Sequence, residues 1–462
     1  MNDAIVRPRP VPKWCWRMPI IVALPMLLTA GRQSVAQDTT KDDPQQQNDS
    51  DAAAPDLKRG LVGHYRFEDS AQDESGQGNH GTPHGLVEYR PGKIGNAVHF
   101  QGQEDRGFIT IPNSESLKFD EATTFACWFY ITDDSGQTGQ NSSGGTVPKA
   151  HQVIVSKHGD RAGFTLLTLA ETCPFRQLSM IGMNGSPDEV GITFPPDEPL
   201  KRWHHVATVA DNSGLRLYLN GVLIGATRTK LKFDIANQCD VFVGINGPVG
   251  RPSNPEGFLW FPLNGAVDDL RIYNRGLSHN EVRSLAGVNA DEDNNLPLIN
   301  AEELTAFSPE QATGVPDTPN LHADARMAWA SQTPDDQPEW LMLEYSHPVQ
   351  PKAVLVYESS YGGAVNKVSV FDPEGAEVEV WSGSTVRTGL IGPPFPSLLP
   401  VNVPFETSRV KVYIDSPRFK GWNQIDAVGL RDNSAQIHWA IKATASSTRV
   451  AETEPTTPDE NN

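Results

Sequence analysis

Short runs of alternating apolar and polar residues, each ended by Gly, Pro, Asn or Asp, fill this chain from about residue 60 to residue 441. No other feature constrains the fold as much. Alternation sends successive side chains to opposite faces of a strand, and clusters of turn residues stop each run. Long segments of 3.6-residue period are missing. In the first block the runs extend from "LVGHYRFE" through "TFACWFYI", "HHVATVA" and "LRLYLNG" to "AVDDLRIY". Strands this short and this frequent predict an all-β chain, a two-sheet sandwich. Asn220-Gly221 lies between two apolar runs and predicts a type I′ hairpin, whose two central positions need positive φ. The one helical signal is "SHNEVRSLAG", where Ser278 and Glu281 have the spacing of a capping box. A second block, from "EWLMLEY" to "IDAVGL", predicts a smaller, separate sandwich.

Composition sets the boundaries. Residues 37–58 and 288–300 are polar or acidic and too poor in apolar residues to form a core, so they are expected as a disordered linker and an interdomain linker. Residues 442–462 are expected as a polar tail. The resulting units are 59–287 and 301–441, each expected to carry its own core. Residues 1–36 have a basic start, a short apolar stretch "MPIIVALPMLLTAG" and small residues in "SVA", the pattern of a secretory signal peptide with the mature chain starting at Gln37. No later segment has the apolar length of a transmembrane helix. A secreted, periplasmic or cell-surface location follows as the expectation.

The chain holds 38 Lys+Arg against 57 Asp+Glu, a formal net charge of −19. Such a surface repels phosphate backbones, so no nucleic-acid partner is expected. In an oxidising compartment Cys127, Cys173 and Cys239 suggest one disulfide. Cys127 shares the parity of Phe125 and Phe129 and is expected as a buried thiol. Cys173 and Cys239 sit at apparent strand ends and are the better pair.

Catalytic patterns are missing: no Glu-x-Asp of the laminarinase type, no HExxH, no GxSxG and no CxxC occur. His204 and His205 are adjacent on a strand, so they face opposite ways and are poorly placed to chelate one ion. Trp128 and Tyr130 share a parity opposite to Phe125 and Phe129, consistent with either a ligand face or packing. In "GAVDDLRIYNRGLSHNEV" Asp268 has the parity of Leu270 and Ile272, and Asp269 the other. An inward carboxylate is costly without a partner.

Taken in order, "LVGHYRFEDSAQDESGQGNHGT", "PGKIGNAVHFQGQ", "RWHHVATVADNSGLRLYLNGVLIG" and "GAVDDLRIYNRGLSHNEV" resemble the laminin-G-like, or concanavalin-A-like, jelly roll. The resemblance implies a two-sheet jelly roll over 59–287. It places Asp268 near the "DESGQGNHG" loop, with Asp73, Ser75, Asn79 and Asp268 as candidate oxygen ligands for Ca²⁺, which takes 6–8 oxygens. The alternative is that Asp268 holds that loop through backbone N–H groups without metal. "SPEQATGVPDT", "AWASQTPDDQPEWLMLEY" and "SRVKVYIDSPRFKGWNQIDAVGL" resemble the galactose-binding-like β-sandwich of the discoidin or scarf type. That resemblance transfers no ligand residue, and Trp422, Asn423 and Asp426 read as structural. Together they imply a secreted non-catalytic recognition protein for a glycan or glycoprotein. A structural or adhesion component of the cell envelope, or a polysaccharide-acting enzyme, is the alternative.

Overall fold

The computed structural model describes residues 55–102, 107–132, 138–140, 146–148, 151–159, 162–169, 177–184, 187–193, 201–227, 236–249, 258–260, 262–289, 304–318, 326–360, 362–385 and 395–450. Two sheets form the first sandwich. The larger has eight strands in the order Val222–Thr227, Gly214–Leu219, His204–Asp211, Thr123–Ile131, Asn264–Tyr273, Asn96–Gln101, Val87–Pro91, and Leu61–Tyr65 also pairs with Asn264–Tyr273. The second has seven strands, with His151–Gly159 and Val241–Val243 near its middle. Phe125, Cys127 and Phe129 point between the sheets and pack with Ile109, Ile154 and Val243. Cys127 is thus the buried thiol its parity predicts.

The outer face of the eight-stranded sheet is covered at one end by the helix His279–Leu285. Its capping box forms as expected, with Ser278 Oγ accepting from Glu281 N. Val282 and Leu285 pack there on Ala126, Ala207 and Tyr218. Asn220 and Gly221 both take positive φ, +51° and +82°, as the predicted hairpin requires.

The second sandwich has two five-stranded sheets. Its own core places Leu341, Leu343, Val410 and Val412 of one sheet against Val354, Val356, Val428 and Leu430 of the other. The strand Lys442–Ala445 pairs with Glu339–Val349, so this sandwich runs past the expected boundary at 441. Nor do the two sandwiches have wholly separate cores. Leu355, Tyr357, Ala427, Ile437 and Trp439 belong to the same buried cluster as the jelly-roll core. They alternate with Val354, Val356 and Val428, so this sheet is buried on both faces. Trp439 Nε1 donates to Leu223 O at 3.1 Å, Ala226 N to Pro316 O at 3.1 Å, and Arg283 to Gln436 Oε1 at 2.8 Å. Among the described residues no helix is long and apolar enough to cross a membrane.

Candidate functional site

The strand Asn264–Tyr273 is the spine of the eight-stranded sheet. On one side it pairs throughout with Thr123–Ile131. On the other, residues 264–267 pair with Asn96–Gln101 and residues 270–273 with Leu61–Tyr65. Asp268 and Asp269 fall in the gap between those two neighbours. There the strand bulges: Asp268 lies opposite Trp128 and Arg271 opposite Ala126, so Asp269 and Leu270 together face Cys127. Asp269 takes φ +47°, the left-handed conformation such bulges use.

The bulge corrects the face assignment. Counting by two puts Asp268 with Leu270 and Ile272, which lie in the core between the sheets. The extra residue reverses the alternation, and Asp268 shares the outer face with Trp128, its cross-strand partner. It is nevertheless fully buried. The turn joining Val87–Pro91 to Asn96–Gln101 lies over it, and Lys93 N and Ile94 N both donate to its Oδ2 at 2.8 Å. A Cβ on Gly92 would stand 2.6 Å from Ala97 Cβ and 2.7 Å from Asp268 Oδ2, so only glycine lets the turn lie this close.

Asp268 thus takes its hydrogen bonds from the 92–95 turn and none from the expected 73–81 loop. Asp73, Ser75 and Asn79 do come together. Asp73 Oδ1 accepts from His64 N at 2.9 Å and Ser75 N at 2.8 Å, and Oδ2 from Ser75 Oγ at 2.9 Å and Asn79 N at 3.0 Å. Burial opposes ionisation of Asp73, but these donors outweigh it and hold its pKa below the ordinary carboxylate value. Asp73 thus organises the 73–79 loop, while Asp268 organises the 92–95 turn. Asn79 continues the network: its Nδ2 donates to Val62 O, and its own carbonyl accepts from Tyr65.

Asp269, expected to point away into solvent, is instead engaged. Its Oδ1 meets His64 Nε2 at 2.8 Å and its Oδ2 meets Arg271 at 3.0 Å. Burial opposes its ionisation, yet the His64 hydrogen bond and Arg271 hold its carboxyl below the ordinary range. Asp268 moves the other way. Burial pushes it up to about 6 against the lowering effect of the Ile94 and Lys93 N–H groups.

Across the outer face, Asp268, Trp128 and His205 form one cross-strand row. The Trp128 and His205 rings meet edge-on at 5.2 Å, and Lys93 Nζ stands 4.4 Å from the centroid of the indole ring. Burial pushes His205 down to about 3, so its imidazole is neutral. Asp268 Oδ1, Trp128 Nε1 and His205 Nδ1 are all sealed from solvent with no hydrogen-bond partner. The neighbouring row is Ala266 and Tyr130, followed by half-buried Trp203, whose ring lies 5.7 Å from that of Tyr130. His99 pairs across from Ala266, and burial lowers its pKa. His204 turns inward toward Phe129, so the two adjacent histidines face apart as expected.

The sequence singled out Trp128, Tyr130 and Asp268 separately, but not the row that unites them with His205 and Trp203. The one available signal was "RWHH", which puts Trp203 and His205 on the same parity. Chemically, the row offers one acceptor, one donor and one imidazole nitrogen beside a half-exposed aromatic pair.

Cys173 lies outside the described residues, and with it the expected Cys173–Cys239 bridge. Cys239 is half-buried, and its carbonyl accepts from Lys157 Nζ at 2.5 Å. Lys157 also donates to Asn113 Oδ1 at 2.9 Å, and burial lowers its pKa to about 8. Among the described residues no group of three or more His, Cys, Asp or Glu side chains is arranged to hold a metal ion.

Residues 103–283 match the family model of the concanavalin A-like lectin/glucanases superfamily, the third laminin G model. Residues 297–441 match that of the C-terminal SD scarf domain of pappalysin-1. These are the two folds the sequence resembles, and they fall on the two sandwiches. Among solved structures the chain is similar to domain 4 of a GH43 extracellular arabinanase from Geobacillus stearothermophilus, in complex with arabinotriose. Identity is 19%, over 49% of this chain and 98% of that one, with a TM-score of 0.35. It is also similar to the binding domain of botulinum neurotoxin DC in complex with SialylT (10% identity, 83% and 98% coverage, TM-score 0.38). A third is from work on botulinum neurotoxin type C, whose cell entry depends on two ganglioside molecules (11% identity, 86% and 99% coverage, TM-score 0.39). No curated protein matches the chain.

Proposed function

We propose that this chain is a secreted, non-catalytic recognition protein that binds carbohydrate, free or on a glycoprotein, through its β-sandwich modules. The observation that carries this reading is the outer face of the eight-stranded sheet. There the half-buried Tyr130–Trp203 pair borders a row of polar groups whose hydrogen-bonding capacity is unfilled. Sugars present apolar ring faces that stack on aromatic rings, and hydroxyls that both donate and accept. The match of residues 103–283 to a lectin and glucanase superfamily supports the same ligand class. Export rests on the basic, apolar and small-residue pattern of residues 1–36. Both Asp73 oxygens and Asp268 Oδ2 already accept from protein donors, so whether calcium also binds there is decided by chelation. The test is a glycan array probed with the full chain and with Trp203→Ala. Retention of every glycan signal by the variant would remove this face from the reading.

A second reading, polysaccharide hydrolysis, is favoured by one observation. Asp268 and Asp269 are adjacent carboxylates with pKa values pushed apart, the pattern of an acid and its partner. Against it, Asp268 is sealed beneath a turn and Asp269 is held by His64 and Arg271. Release of reducing ends from any polysaccharide, abolished in Asp269→Asn, would favour hydrolysis over recognition.

A further inference from the structure

The turn Gly92–Gly95 lies on Asp268 and Trp128, two members of the row Asp268–Trp128–His205, and is fastened there at few points. Lys93 N and Ile94 N donate to one carboxylate oxygen, Asp268 Oδ2. The Lys93 ammonium rests over the Trp128 ring. Gly92 N closes the turn on Gly95 O, and Asn96 N anchors its far end to Glu68. Ile94, at the tip, is 44% exposed and so adds little apolar burial to hold the turn down.

Along that row, three neighbouring side chains each keep one buried polar atom without a partner. Burying such a group is costly, and native proteins seldom leave it so. Three in a single cross-strand row, on adjacent strands, are better explained by a ligand than by three separate defects of packing. The neighbours of this row, Tyr130 and Trp203, are half-buried rings in contact with each other.

We infer that Asp268, Trp128 and His205 form an inner subsite for a pair of vicinal sugar hydroxyls, reached when the Gly92–Gly95 turn lifts. This rests on the carbohydrate reading above and specifies which atoms take the sugar. One hydroxyl accepts from Trp128 Nε1–H and donates to Asp268 Oδ1. Its neighbour meets His205 Nδ1, which as a neutral imidazole can serve as donor or acceptor. The ring face then leans on Trp203 and Tyr130. Lifting the turn breaks two hydrogen bonds to Asp268 and the ammonium contact with Trp128, and leaves Asp268 Oδ2 free for a further hydroxyl.

The experiment titrates the ¹⁵N-labelled full chain with galactose, glucose, mannose and arabinose, their 2-deoxy counterparts, and any oligosaccharide retained on the glycan array. The Trp128 indole N–H is followed, assigned by its loss in Trp128→Phe. The expected result is a shift of that signal on sugar addition, with faster hydrogen exchange at the Lys93 and Ile94 amides. Asp268→Asn keeps an acceptor for the turn but replaces the free oxygen by a donor; His205→Phe removes the imidazole. Each should weaken binding about tenfold, the loss of roughly one hydrogen bond. Binding that is sensitive to Trp203→Ala, with the Trp128 signal unmoved and both inner variants at wild-type affinity, overturns the subsite and leaves the carbohydrate reading standing. Failure of every sugar and every arrayed glycan to bind overturns both.

Discussion

Replacing Asp268 by Ala removes the acceptor of two backbone N–H groups, Lys93 and Ile94, each 2.8 Å from Oδ2. A buried donor left unsatisfied costs about 1–3 kcal/mol. Lys93 and Ile94 are exposed residues of a surface turn, so water reaches their N–H groups after a small shift, and the sum falls to about 2–3 kcal/mol. Part of this is offset, because the variant also loses a carboxylate that burial disfavours as an anion. Asp268→Asn separates the two effects, since it keeps an acceptor and sheds the charge. The raised pKa fixes the sign. The stability this group contributes is fully present below the unfolded value of 3.8 and is lost as pH rises through about 6. Wild type should therefore gain on Asp268→Asn as pH falls from 7 to 4. A shift of this size is worth at most about 3 kcal/mol, reduced to about 1–2 kcal/mol by solvent screening through the exposed turn. Urea unfolding of wild type and both variants at pH 4, 5, 6 and 7 measures all of this. Parallel curves for wild type and Asp268→Asn would show that the carboxylate is not buried as an anion. An Asp268→Ala loss within about 0.5 kcal/mol would show that the turn is not held by it.

Asp73 should show the opposite pH dependence. Its lowered pKa gives stability present above 3.8 and lost as pH falls through its folded value, so Asp73→Asn should flatten the acid limb of the unfolding curve. Chelation of divalent cations should leave the melting temperature unchanged, because the Asp73 oxygens hold protein donors; a fall on chelation would place an ion in the loop. Trp439→Ala should cost about 3–5 kcal/mol, measured by denaturant unfolding, since its ring packs across the junction of the two sandwiches and its indole donates to Leu223 O. A fragment of residues 55–289 should bind a hydrophobic dye and aggregate where the full chain does neither, because it bares the surface that Tyr357 and Trp439 cover.

The strands, the Asn220–Gly221 hairpin and the Ser278 capping box were legible in the sequence because each is decided by residues a few positions apart. Alternation sets the faces of a strand, positive φ selects Asn-Gly, and a hydroxyl three residues before a glutamate closes a helix start. The two fold families were legible for a related reason, since their motifs follow the strand order. The costly burial of a carboxylate at 268 was also visible, but its face and its partner were not. Both depend on the bulge at Asp269, and the bulge depends on the gap left where one neighbouring strand ends and another begins. Counting by two cannot register an extra residue imposed by strands far away in sequence. The run "AVLVY" at 353–357 carried a further signal, as an unbroken apolar stretch with no polar face. The second block was nonetheless expected as a separate sandwich with its own core; that one side of this sheet lies against the jelly roll was decided only when Trp439 and Leu355 met the first sandwich. The row Asp268–Trp128–His205 joins residues up to 140 positions apart through strand register, which local pattern does not encode and tertiary pairing alone supplies.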